Sequence, residues 1–218
     1  MLRIILFILA FPVTSFADVL DSKKVSDFWN YIAKNEATIS SNPNMVLLLD
    51  EIKFELNKVH RDLAFEFSAV STQPRHFVIS ADGIKANFPA VEELVRSAPQ
   101  FQKLEIIAFR QPVEGPLPEV LQLGDASIRA EDLSFLFFTD RNLFDLVLIH
   151  DAFATAKRDR AAAISFLYLD ASVGEFRVAT EIGAIDFVSQ DSVPAFYKPL
   201  PIERLPDALD IFINTRMP

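Results

Sequence analysis

Cysteine is absent from all 218 residues, and glycine occurs only 5 times. Without cysteine the chain forms no disulfide, offers no thiolate nucleophile and binds no metal through sulfur. A lipid anchor on an N-terminal cysteine is excluded for the same reason. The glycines stand at 83, 115, 124, 174 and 183. None completes GxGxxG, or GxxxxGK followed by Ser or Thr, so no glycine-rich phosphate cradle is expected. No serine sits in a GxSxG elbow. Histidine is scarce as well: His60, His76 and His150 show neither HxxH nor HxxxH spacing. No metal and no cofactor is therefore expected, although a site gathered from distant positions would leave no such trace. Positive charge is in deficit, with 21 Lys and Arg against 30 Asp and Glu and a net charge of −9. That balance speaks against nucleic acid and against an anionic membrane surface as partners.

Long hydrophobic runs are missing too, with one exception at the start. "MLR" is a short basic opening, and "IILFILAFPV" follows as an apolar run of 10 residues, too short to span a bilayer. "TSFA" then puts Ser15 and Ala17 at the small-x-small positions of a cleavage site. This is the pattern of a secretory signal peptide over residues 1–17, rather than an uncleaved anchor or a buried first strand. The mature chain, 18–218, is expected to be periplasmic or secreted, with no stable membrane insertion after cleavage. It is 50% apolar with 21 Phe. A chain of this length can bury about 70% of its unfolded surface, so the core must suffice without crosslinks.

Apolar periodicity predicts a helix over 22–36, capped by Ser22, with Val25, Phe28, Trp29 and Ile32 on one face. A second helix over 45–60 carries Met45, Leu48, Leu49, Ile52, Leu56 and Val59. "LAFEFS" (63–68) alternates as a strand and pairs with "HFVIS" (76–80) as a hairpin. Asp82-Gly83 is a turn, and Pro89 opens a helix that Pro99 ends. "LEIIAF" (104–109) is apolar enough to read as a central strand. A Pro-rich connector, 110–118, divides the chain. Beyond it, 133–138 and 143–149 flank the turn "TDRN", 159–173 is helical up to Gly174, and 184–189 is a strand.

The fold class is α+β: an antiparallel or mixed sheet with helices packed on one face. The order strand, strand, helix, strand occurs twice. A ββαβ pseudo-repeat and the commonness of that order would both give this. The chain reads as a single domain over 18–218. Its candidate halves are 18–110 and 119–189, and a Pro-rich tail, 190–218, wraps the surface. "DALDIFI" in that tail is a short terminal helix or strand.

"FWNYIAKNE", "ISADGIKANFPAVEELVRSAP", "IIAFRQP" and "LDASVGEFRVATEIGAIDF", in that order, resemble an uncharacterised bacterial domain family. The resemblance covers about 27–188 and implies one α+β domain across both halves. It implies no catalytic residue. The export signal sets this copy apart from a cytosolic role.

The residues left for chemistry are few. Arg110 ends a buried strand, where it can bind an anion or partner, or pair with a nearby acid. Asp170, Glu175 and Glu181 are carboxylates of the kind that run glycoside hydrolysis when about 5–9 Å apart. They also suit solvated positions or pairing with Arg177. Enzymatic activity is not the favoured reading. That reading is an exported, non-catalytic binding domain of the cell envelope, whose partner is an envelope protein or a small ligand. The alternative is a periplasmic hydrolase with a carboxylate site. An exposed Phe patch, through Phe196 and Tyr197 of the tail, would favour binding.

Overall fold

The architecture is that of a computed structural model, which describes residues 20–139 and 143–216. The signal segment, and three of the four residues of the turn "TDRN", lie outside the described residues. The fold is α+β, as the pattern of elements implies.

The chain opens with α1 (Ser22–Ser41) and α2 (Val46–Val59). Val25, Phe28, Trp29 and Ile32 of α1 are buried, and so is Ile39 one turn beyond the expected end. The N-cap is Asp21 and not Ser22: its carboxylate accepts the N–H of Lys23 at 2.9 Å and of Lys24 at 3.3 Å. Asp is as good a cap as Ser and brings a charge suited to the helix dipole. Strand β1 (Ala64–Phe67) pairs antiparallel with β2 (Arg75–Ser80). Helix α3 (Phe88–Arg96) then returns the chain, and β3 (Leu104–Ala108) lies parallel to β2. The strand order is β1-β2-β3, so β3 is an edge and not the centre. Its apolar run has another cause. Leu104 faces the helices, while Ile107 on the opposite face is half-buried beside the connector.

A short hairpin that the sequence pattern did not reveal follows the connector: β4 (Val120–Leu123) with β5 (Ala126–Arg129). Then β6 (Ser134–Phe138) pairs antiparallel with β7 (Phe144–Ile149). Helix α4 (Arg158–Val173) stops at Gly174, as expected, where φ is +87°. A second unanticipated element, α5 (Glu175–Glu181), leads directly into β8 (Ile182–Val188), which is parallel to β7. The pairing of β1, β2 and β3 thus recurs in β6, β7 and β8.

The tail corrects the sequence reading. Residues 190–200 do lie mostly at the surface, and the terminal helix expected over "DALDIFI" forms, but the chain from Ile202 on turns into the core. Strand β9 (Leu200–Pro201) pairs with β6, and α6 (Leu205–Arg216) follows. Ile202, Leu205 and Leu209 are fully buried. Period-3.6 apolar spacing beyond the prolines overrides their tendency to extend the chain.

The buried residues form two clusters, one drawn from residues 20–109 and the other from 126–212, so that the second takes in the tail as well. One gathers Phe28, Trp29, Ile32, Phe77 and Leu94 under the first sheet. The other gathers Phe135, Phe144, Ile164, Tyr168 and Leu209 under the second. Among the described residues, no helix is long and apolar enough to cross a membrane.

Candidate functional site

The parallel pairing of β2 and β3 brings their C-terminal ends to one edge of the first sheet. Both ends then turn sharply. Asp82 and Gly83 follow β2 with φ of +52° and +76°, and Phe109 follows β3 with φ of +64°. Asp and Gly accept this left-handed region readily, whereas Phe does so rarely and at a cost of roughly 1–3 kcal/mol. Phe109 is held there because its ring is buried between Phe88 and Phe176, and because its N–H donates to Ile79 O at 2.8 Å. The turns aim three backbone N–H groups, those of Ala81, Gly83 and Arg110, at one point.

That point is occupied by Glu175, the first residue of α5. Its Oε1 accepts the N–H of Ala81 at 3.0 Å and of Gly83 at 3.1 Å, and its Oε2 accepts the N–H of Arg110 at 3.1 Å. The Glu175 N–H donates back to Arg110 O at 2.9 Å. Glu175 is 1% exposed. A carboxylate so buried is sustained by hydrogen bonds to its charged form.

Arg110 completes the cluster. Its guanidinium reaches Glu66 of β1 at 3.2 Å, Asp82 at 3.1 Å and Asp170 of α4 at 3.3 Å. Burial works against the charge on Arg110, but Glu66 and Asp170 hold it above its ordinary value. Asp170 is 7% exposed, and its carboxyl is pushed up to about 7. Burial is the first cause; Arg110 opposes it and Glu175 adds to it. The pair favours the guanidinium charge more than the carboxylate charge. Arg110 has several acids around it, while Asp170 shares one cation among like charges.

Of the four candidates, three therefore converge: Arg110, Asp170 and Glu175. The fourth does not. Glu181 pairs with Arg177 at 2.6 Å, and Arg177 also holds Asp210 of α6 at 2.7 Å. Arg177 does not take the role of partner to Asp170 or Glu175. Two members of the cluster, Glu66 and Asp82, were not singled out as acids in the sequence. The alternation of β1 turns Glu66 away from the helices, and this was the available signal.

Beside the cluster, the helix-free face of the first sheet opens into a cleft of about 770 Å³. Val78 and Ile107 floor it, with Glu66 and His76 on the strands and residues 111–114 of the connector as a wall. His76 lies 3.4 Å from Glu105. His150 closes a turn instead, its Nδ1 accepting the Ala152 N–H at 3.0 Å, and burial lowers its pKa. Among the described residues, no group of three His, Asp or Glu side chains is placed to hold a metal ion.

A second surface lies on the second half, around the end of β6. Phe138 meets Tyr197 edge-on at 6.0 Å, and Tyr197 meets Phe196 at 4.4 Å. Phe196 is 77% exposed. Next to them a groove of about 480 Å³ runs between α6 and the end of β6, lined by Phe137, Leu200, Ile211 and Phe212. Ile211 is 65% exposed. The one ion pair of the groove wall, Arg204 with Asp207 at 3.2 Å, is internally neutral.

Comparison of the chain with family models, with curated proteins and with solved structures finds no match, so these two sites rest on their own geometry.

Proposed function

We propose that the mature chain is an exported, non-catalytic binding domain of the cell envelope, and that it engages an envelope protein through the aromatic surface around the groove between α6 and β6. The observation that carries this reading is a set of exposed apolar side chains around the end of β6: Phe138, Tyr197 and Phe196 in ring contact with one another, and Phe137, Leu200 and Ile211 along the groove. Isolated exposed apolar residues are ordinary, but ring-linked aromatics and an apolar groove on successive positions of one strand mark an interaction surface. Aromatic side chains also supply most of the binding energy at such surfaces. Among the described residues of the groove, the charges of Arg204 and Asp207 offset each other, which matches an apolar segment better than an ion.

The test is capture from cells with a tagged full-length chain, comparing wild type with the triple substitution Phe138→Ser, Phe196→Ser and Tyr197→Ser. All three side chains are at least partly exposed, so folding should persist. Loss of one dominant envelope partner is the expected result. Unchanged capture would sink the surface assignment, and recovery of a small apolar molecule in place of a protein would redirect it. The same sample reports the mature N-terminus, for which Asp18 is expected.

The hydrolase reading has one observation in its favour: Asp170, a buried acid with its pKa near neutrality, beside Arg110 and Glu175. Such an acid is a good proton donor in principle. Its weakness is Glu175, whose two oxygens are committed to three backbone amides. Among the described residues, the other acids of the cluster, Glu66 and Asp82, are themselves tied to Arg110. A turnover screen with Asp170→Asn as the control separates the two readings.

A further inference from the structure

The cluster at the ends of β2 and β3 is also where the two halves meet. The cores themselves are separate. Glu175 crosses to three amides of the first half, and Asp170 crosses to Arg110. The Val113 N–H donates to Ala171 O at 2.9 Å. Phe176 of α5 enters the first half beside Phe88 and Phe109, each at 5.6 Å. The connector from 110 to 118 leaves from this same point. A narrow contact, one covalent crossing and two independent cores are the components of a hinge.

The charges at that contact do not balance. One guanidinium faces four carboxylates: Glu66 from β1, Asp82 from the turn after β2, Asp170 from α4 and Glu175 from α5. They differ in support. Glu66 and Asp82 have side chains 48% and 65% exposed, so water screens them. Glu175 holds three N–H groups. Asp170 has neither: its side chain is 10% exposed, and among the described residues its carboxylate has one bond, to Arg110. It is the member whose charge is least compensated.

We propose that this cluster is a proton-controlled latch: with Asp170 protonated the two halves are fastened together, and with Asp170 ionised the junction loosens and lets them move apart. Neutral Asp170 gives up its ion pair across the seam and leaves Arg110 to Glu66 and Asp82, but it also removes the like charge next to Glu175, whose three bonds to the first half do the fastening. Ionised Asp170 restores that repulsion inside a dry contact. The switch operates around neutral pH, which is where burial and the neighbouring acids place the group. Its output is the relative position of the halves, and it is independent of what the aromatic surface binds.

The chain has no native cysteine, so two can be introduced for spin labels. Leu47→Cys on α2 and Asp159→Cys on α4 are exposed and lie in different halves. The distance distribution is measured from pH 5.5 to 8.5. A single narrow distribution at low pH and a second, more open population above neutrality are expected. Asp170→Asn should remain narrow at every pH. Amide exchange is the independent readout. Protection of the Ala81, Gly83 and Arg110 amides should fall at least tenfold across this range after correction for intrinsic base catalysis, and should stay flat in Asp170→Asn. A wild-type distribution and protection that ignore pH would overturn the proposal, as would an Asp170→Asn chain that follows the wild-type slope. If Asp170→Asn does not fold, the wild-type series alone decides.

Discussion

At the residue scale, Asp170 and Gly174 make the most exacting demands. A carboxyl whose folded pKa is raised holds its proton when the unfolded chain has already lost it. Between the unfolded value of 3.8 and the folded value of about 7, the folded state of Asp170 binds more protons. Stability then falls as pH rises through that window and levels off above it. Each unit between the two values corresponds to roughly 1.4 kcal/mol. Asp170→Asn should remove this slope, so urea midpoints of wild type and variant should diverge toward pH 8 with the variant the more stable. Parallel midpoints from pH 4 to 8 would mean that Asp170 is solvated like an ordinary acid. Gly174 has φ of +87°, and a Cβ there would lie 3.1 Å from the Cδ of Pro112 and 3.4 Å from Arg110 O. Gly174→Ala combines backbone strain with a clash against rigid connector atoms, and should cost about 1–3 kcal/mol in a denaturation midpoint. A neutral result would show that the connector yields freely.

At the scale of elements, the tail is part of the second core. Leu205 and Leu209 of α6 and Ile202 before it are sealed beneath the sheet. Leu209→Ala should cost about 2–5 kcal/mol. Deleting 190–218 should unfold the second half and not merely remove a surface, as circular dichroism and proteolysis would report. A truncated chain of unaltered melting temperature would contradict this placement. Legibility followed element type. Helices α1 and α2 were readable because their apolar stripes repeat over several turns, α3 because Pro89 and Pro99 bracket it, and α4 because Gly174 marks its end. The β4–β5 hairpin was not: two four-residue strands, one largely exposed, give too little alternation to detect. Helix α5 was hidden because Gly174 ends one helix and begins the next. Of the site, Arg110, Asp170 and Glu175 could be picked as charges near element ends. Their meeting could not be read, because it depends on β2 and β3 being parallel and on α5 crossing between the halves. Residue spacings of 60 and 65 carry no local trace of it.

At the scale of the whole molecule, two cores joined at one charged junction should unfold as coupled units, and the coupling should reside in Glu175. Replacing it with Ala leaves three inward N–H groups without an acceptor, at about 1–3 kcal/mol for each that stays buried. Trp29, the single tryptophan, lies in the first core with its indole N–H donating to Leu94 O at 3.1 Å. Its fluorescence therefore reports on the first half, while far-ultraviolet dichroism reports on both. In wild type the two midpoints should coincide. In Glu175→Ala they should separate. Coincident midpoints in the variant would place the coupling elsewhere, with Phe176 the next residue to change.

The span of the Glu175 contacts also sets an order of assembly. The N–H donors that it holds, on Ala81 and Arg110, lie 94 and 65 residues earlier in the chain. A chain delivered from its N-terminus presents the sharp turns after β2 and β3 well before the group that holds them. Until Glu175 arrives, three amides point into an unfilled socket, and Phe109 keeps its disfavoured backbone angle only through Ile79 O and the ring of Phe88. The first half is thus a receptor made in advance of its ligand, and the second half is the delayed delivery of that ligand on the same thread.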